Sequence, residues 1–128
     1  MALQTATLTH VLHYERTMFE FERITLQIGD EDPQMKVYVR EMTNDTATIV
    51  TVDDGGNETE DTVATEQKRL FGDEPDVLAE LSEQRKALSH QMLGEGWDMV
   101  SNDFKDTSPG FNAIVMYTWT LTFQREGA

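Results

Sequence analysis

The sequence predicts an α+β domain: an antiparallel β-sheet with one main α-helix packed on one face, plus an N-terminal extended arm. Three observations predict it. Several short runs alternate apolar and polar residues. A single stretch, Leu78 to Leu93, carries helical spacing. That stretch ends at a Gly-Glu-Gly-Trp corner leading into another alternating run. The order of strands, one helix, then strands suits an antiparallel sheet, since a parallel sheet needs a helix at every crossover. At 128 residues the chain fits one core. We read residues 1–17 as an arm or strand and 18–128 as a single α+β domain, with a hairpin and acidic-loop insertion at about 29–75.

Each element has its own signal. In residues 5–15, Leu8, His10, Leu12 and Tyr14 alternate with Thr7, Thr9, Val11 and His13, as a strand or extended arm would. Residues 18–28 make a second strand. Phe19 and Phe21 share one parity and Ile24, Leu26 and Ile28 the other, so a bulge is expected near Glu22-Arg23. Gly29 to Pro33 is a turn. Gln34 to Met42, with Met35, Val37 and Val39 on one side, and Thr46 to Val52 form a hairpin around a turn at Thr43-Asn44-Asp45. Asp53 to Asp61 reads as an acidic, glycine-containing loop, and the polar character continues to about Arg69.

Pro75 stands in the first turn of the predicted helix, where proline is tolerated. Leu78, Leu81, Leu88 and Met92 form its apolar stripe, interrupted by Arg85 as a snorkelling side chain. Gly94 and Gly96 supply the stop. A strand begins at Trp97, Thr107 to Gly110 is a turn, and residues 113–123 form the clearest strand. There Val115, Tyr117, Trp119, Leu121 and Phe123 share one face, and Thr118, Thr120 and Thr122 the other. Trp97 and Trp119 are expected in the core, and Gly94, Gly96, Trp97 and Trp119 are the residues of a structural corner.

Composition narrows function. The 24 acidic and 10 basic residues give a formal net charge of -14. Such a surface repels phosphate backbones, which disfavours direct nucleic-acid binding. The charge balance is halophile-like: salt screens the self-repulsion that dilute buffer leaves in place. The absence of cysteine excludes disulfides and thiolate metal sites. No apolar run reaches the length of a membrane span, and residues 1–17 do not read as a secretory signal.

Motifs for catalysis fail one by one. His10 and His13 point to opposite faces of a strand, which does not suit a shared metal. The acidic loop places Gly55 where an EF-hand would place its third-position ligand. No serine sits in a Gly-x-Ser-x-Gly elbow, and Gly94-Glu95-Gly96 follows a helix whereas a phosphate loop precedes one. With so many carboxylates, paired acids arise by chance and carry no signal. The expectation is no catalytic residue, no cofactor and no metal.

Phe19-Glu20-Phe21-Glu22-Arg23-Ile24 resembles the aromatic-Glu-aromatic opening strand of a small domain-of-unknown-function family found in bacteria and viruses. In that family a helix, a Gly-Trp corner and a last strand ending near Phe-x-Arg follow. The matching pieces here are Leu78 to Leu93, Gly94 to Val100, and Phe123-Gln124-Arg125. The resemblance covers about half the chain and implies a fold, with no catalytic residue to carry over. The N-terminal 17 residues and the segment from Gly29 to Pro75 depart from the family pattern.

These readings lead to a non-enzymatic structural or assembly subunit: a virion component (capsid, connector or tail) of a tailed virus infecting a halophilic host. It would be located in the virion or host cytoplasm and would contact other protein subunits in a homo- or hetero-oligomer. The alternatives are a small acidic protein-binding or regulatory module and a small metal-dependent hydrolase. Candidate interaction residues are Leu8, Leu12 and Tyr14 of the N-terminal segment and Asp53, Asp54, Glu58, Glu60 and Asp61 of the acidic loop.

Overall fold

In a computed structural model, residues 3–15, 18–43, 46–64, 79–110 and 114–127 are described. Seven strands form one antiparallel sheet: β1 (Leu3–Glu15), β2 (Met18–Ile28), β3 (Gln34–Met42), β4 (Thr46–Val52), β5 (Glu58–Ala64), β6 (Asp98–Asp106) and β7 (Val115–Glu126). Helix α1 (Ala79–Gly94) lies between β5 and β6 in the chain. The strand order is β5-β4-β3-β2-β1-β7-β6. The fold is therefore sheet-dominated and roughly α+β, with one short helix among the described residues. No helix among the described residues is long and apolar enough to cross a membrane.

Of the two readings of the N-terminal segment, strand or extended arm, the structure shows the strand, and it is not appended. β1 is an interior strand, hydrogen-bonded to β2 on one side and to β7 on the other. Leu8 lies between Leu26 and Leu121, and Thr9 between Thr25 and Thr120. Strand alternation thus puts Ala6, Leu8, His10 and Leu12 on the buried face and a row of threonines on the other. Leu8 is 0% exposed and Leu12 is buried too, so neither offers a docking surface to another chain. The side chain of Tyr14 lies outside the described residues, as do those of Phe19 and Phe21.

The segment from Gly29 onward is likewise part of the sheet. β2, β3, β4 and β5 form a meander, and Val37, Val39, Ala47 and Ile49 join the core with Ile24, Leu26, Leu81, Met92, Trp97, Leu121 and Phe123. The predicted loop shortens to a turn at Asp53–Asn57, and Glu58–Ala64 forms edge strand β5. An edge strand open on both faces needs no apolar alternation, and charge protects it from foreign strands. That is why Glu58, Glu60 and Asp61 read as loop. The turn at Thr43 is closed by hydrogen bonds to Thr46, while Asn44, Asp45, Lys68, Arg69 and Pro75 lie outside the described residues.

Bulges appear where the registers slip. One lies between β1 and β2 at His13/Tyr14, leaving Glu20 unpaired against β1. Others leave Lys36 and Arg40 of β3 and Val100 of β6 without an opposite residue. The bulge expected near Glu22-Arg23 falls instead at Glu20, while Glu22 and Arg23 pair in register with Leu12 and Val11. Each inserted residue reverses the parity that follows it.

α1 ends in a six-to-one and five-to-two pair of bonds: Trp97 N–H donates to Met92 O at 3.1 Å and Gly96 N–H to Leu93 O at 3.2 Å. Gly96, with φ of 91°, holds the left-handed position, whereas Gly94 remains the last helical residue. Trp97, buried beside the core that contains Met92, completes the corner, and the Arg125 guanidinium lies 4.2 Å from its ring centre.

Candidate functional site

The apolar stripe of α1 brings Arg85 over the sheet between Leu81 and Leu88, and the register of β1 and β2 brings His10 beside Glu22. The three meet under the helix. His10 is 0% exposed and Glu22 is buried. His10 Nε2 is hydrogen-bonded to Glu22 Oε2, and Arg85 Nη1 lies 2.7 Å from His10 Nδ1. A guanidinium only donates, so Nδ1 accepts and the imidazole proton sits on Nε2, donated to Glu22. His10 is therefore neutral. Burial, with the Arg85 charge beside it, lowers its pKa to about 3. Burial also lowers the pKa of Arg85.

Trp119 closes the cluster. Its ring lies 4.6 Å from the His10 ring, and the Arg85 guanidinium lies 4.5 Å from the Trp119 centroid. Phe104 and Tyr117 continue the aromatic group, with centroids 5.1 and 5.8 Å from that of Trp119. Trp119 is half-buried rather than a full core residue. The expectation for Arg85 changes here, and the place of His10 is settled. His10 is an interior residue with both ring nitrogens engaged. Arg85 turns inward to the imidazole instead of snorkelling to water.

This arrangement provides no accessible proton carrier. His10 meets one carboxylate and one guanidinium and has no solvent exposure, so its task is to satisfy buried polarity and hold α1 in register on β1 and β2. Among the described residues no three of His, Asp and Glu converge as a metal site.

A second feature lies on the other side of α1. A pocket of about 540 Å³ opens between the helix and strands β1 to β4. Leu8, Leu26, Leu88 and Met92 line its apolar part, and Lys36 also lines it. The bulge explains why a lysine faces inward: Lys36 is the inserted residue of β3, so both it and Val37 are buried. Lys36 Nζ lies 3.2 Å from Asp54 Oδ1.

The acidic residues singled out from sequence divide into separate roles. Asp53 organises its own turn: its Oδ1 accepts from the backbone N–H groups of Gly55 and Asn57, each at 2.9 Å. Those bonds, Asn57 first, hold its carboxyl below the usual carboxylate range. Asp54 is Lys36's partner. Glu58 and Glu60 are both bound by Arg40 across the sheet, Glu58 Oε2 at 2.7 Å from Nη2, and Tyr38 Oη donates to Glu58 at 3.1 Å. Asp61 stands exposed on β5 opposite Ile49. They do not converge on a common centre.

A third feature was missed in the sequence. β6 is the edge strand opposite β5, and Met99, Val100 and Phe104 along it are exposed large hydrophobics. Phe104 is 51% exposed. The inserted Val100 allows Met99 and Phe104, of opposite parity, to pair with Phe123 and Trp119 on the helix-facing side. The alternation expected from Trp97 onward hides this, because the bulge interrupts it.

Fold and site together define, over the described residues, a small antiparallel-sheet domain with one covering helix and a buried His-Glu-Arg cluster. No family model, curated protein or solved structure matches the chain.

Proposed function

We propose that this chain is a non-enzymatic assembly subunit that joins a second copy of itself along the β6 edge. The observation that carries the reading is the contrast between the two edges of the sheet. β5 presents carboxylates (Glu58, Glu60, Asp61) and no exposed large hydrophobic side chain, whereas β6, between its own charges at Asp98, Asp103, Lys105 and Asp106, leaves Met99, Val100 and Phe104 exposed on an edge that no other described strand pairs with. An edge that presents apolar side chains and that no described element covers is a template for another strand.

Antiparallel pairing of two β6 strands about Asn102 sets Val100 against the partner's Phe104, an apolar cross-strand pair. The same register opposes Asp98 and the partner's Asp106, and each chain carries a net charge of -14. Both terms are repulsive and both are screened by salt. Association therefore strengthens as salt rises, in keeping with a halophile-like composition. A virion component of a tailed virus from a saline host is the setting that this proposal takes from the sequence.

Sedimentation equilibrium across a series from dilute to molar NaCl tests the reading, on wild type and on Val100→Lys. A wild-type dimer that gains affinity with salt and is lost in the variant is expected. A wild type that stays monomeric at every salt concentration, or a dimer indifferent to the lysine, overturns the proposal.

A further inference from the structure

We propose that the pocket between α1 and strands β1 to β4 binds a small amphipathic monocarboxylate, with its apolar body against the accessible lining residues Ile28, Val52, Ala87 and Leu88 and its carboxylate on the Lys36 ammonium. Lysine is rarely buried, because taking an ammonium out of water is costly without a compensating charge. Here Lys36 is 7% exposed, and it is the bulge in β3 that turns it inward.

The partner it has is a weak one. Asp54 sits on the Asp53–Asn57 turn with its side chain 89% exposed, so water screens the pair strongly. The ammonium has three donors, and the Asp54 bond uses one. A carboxylate arriving on an apolar body is itself desolvated in the pocket, and attraction between the two charges is stronger there.

Size and charge define the ligand class. A volume of about 540 Å³ is that of a small-molecule site. The apolar lining favours an aliphatic or aromatic body. Asp53, Asp54 and Glu95 around the opening, on a chain of net charge -14, repel a dianion such as a phosphate monoester or a dicarboxylate. One negative charge matches the Lys36 ammonium in the pocket lining. This site is built from β1 to β4 and α1, so it does not depend on association through β6.

Calorimetric titration with octanoate, octan-1-ol and octylammonium tests the assignment, with methyl chemical shifts of Leu88 and Met92 reporting location. Octanoate is expected to bind about tenfold or more tightly than octan-1-ol and to shift both methyl groups. Lys36→Met should erase that preference. Asp54→Asn, an exposed change on a turn that leaves the core untouched, should tighten octanoate several-fold by removing the competing carboxylate. Equal affinity for octanoate and octan-1-ol, preference for octylammonium, absence of methyl shifts, or an Asp54→Asn variant with unchanged or weakened octanoate binding would each overturn the proposal.

Discussion

Replacing His10 by glutamine separates the titration of the buried cluster from its packing. A proton added to His10 must go to Nδ1, because Nε2 already carries the one donated to Glu22. Nδ1 faces the Arg85 guanidinium, and the imidazole pKa falls from 6.5 to about 3. A base whose pKa falls on folding binds fewer protons folded than unfolded. Near pH 7 both states are neutral and the shift costs almost nothing. As the pH drops below the unfolded pKa, stability falls by about 1.4 kcal/mol per unit until the folded pKa is reached. Between about pH 7 and about pH 4.5 the loss is roughly 2.5 kcal/mol. Glutamine can accept from Arg85 and donate to Glu22 without titrating, but it gives up the ring contact with Trp119, at about 1 kcal/mol at either pH. Wild type should therefore be the more stable protein near neutrality, and the variant should overtake it by about 1.5 kcal/mol near pH 4.5. Urea unfolding followed by tryptophan fluorescence, at constant high salt, measures both. A stability gap that is the same at the two pH values would refute the assignment of a neutral His10.

Three further outcomes follow from the same structure. Arg85→Met should cost about 3 kcal/mol in urea unfolding, since Glu22 and His10 Nδ1 stay buried without the guanidinium. Gly96→Ala, at φ of 91°, should lower the thermal midpoint by an amount equivalent to about 1 kcal/mol, whereas Gly94→Ala in the last helical position should leave it unchanged or raise it. The midpoint of wild type should climb steadily from dilute buffer to molar NaCl, and a flat or falling series would remove the halophile-like reading of its -14 charge.

Periodicity was legible in the sequence wherever an element buries one face without interruption. β7 shows Leu121 and Phe123 inside and threonines outside, and α1 shows Leu81, Leu88 and Met92 on the core side, as their spacing predicts. The Gly-Glu-Gly-Trp corner is also legible, although the left-handed residue is Gly96 alone. β5 was not, because an edge strand exposed on both faces carries no alternation. Nor were the bulges at Lys36, Arg40 and Val100, which follow from how neighbouring strands pair rather than from local residue preference. The buried cluster had left a trace: His10 shares parity with Leu8 and Leu12, and Arg85 interrupts an apolar stripe. Each looked like an isolated irregularity, because a separation of 75 positions in the chain hides that one answers the other.

The His10-Glu22-Arg85 cluster also separates the two proposed surfaces, the pocket and the β6 edge. Arg85 ties α1 to β1 near the middle of the sheet. On one side of that tie, the helix stands off β1 to β4 far enough to leave the pocket with Lys36. On the other side, β7 and β6 carry Trp119, Tyr117 and Phe104 out to the open edge. Fully apolar contacts at position 85 would allow the helix to slide along its stripe, since leucine and methionine pack in many registers. A guanidinium that must reach one imidazole nitrogen while that ring reaches one carboxylate permits a single register. The buried polar groups thus set the helix position that keeps the pocket open, and Arg85→Met should alter octanoate affinity without altering association through β6.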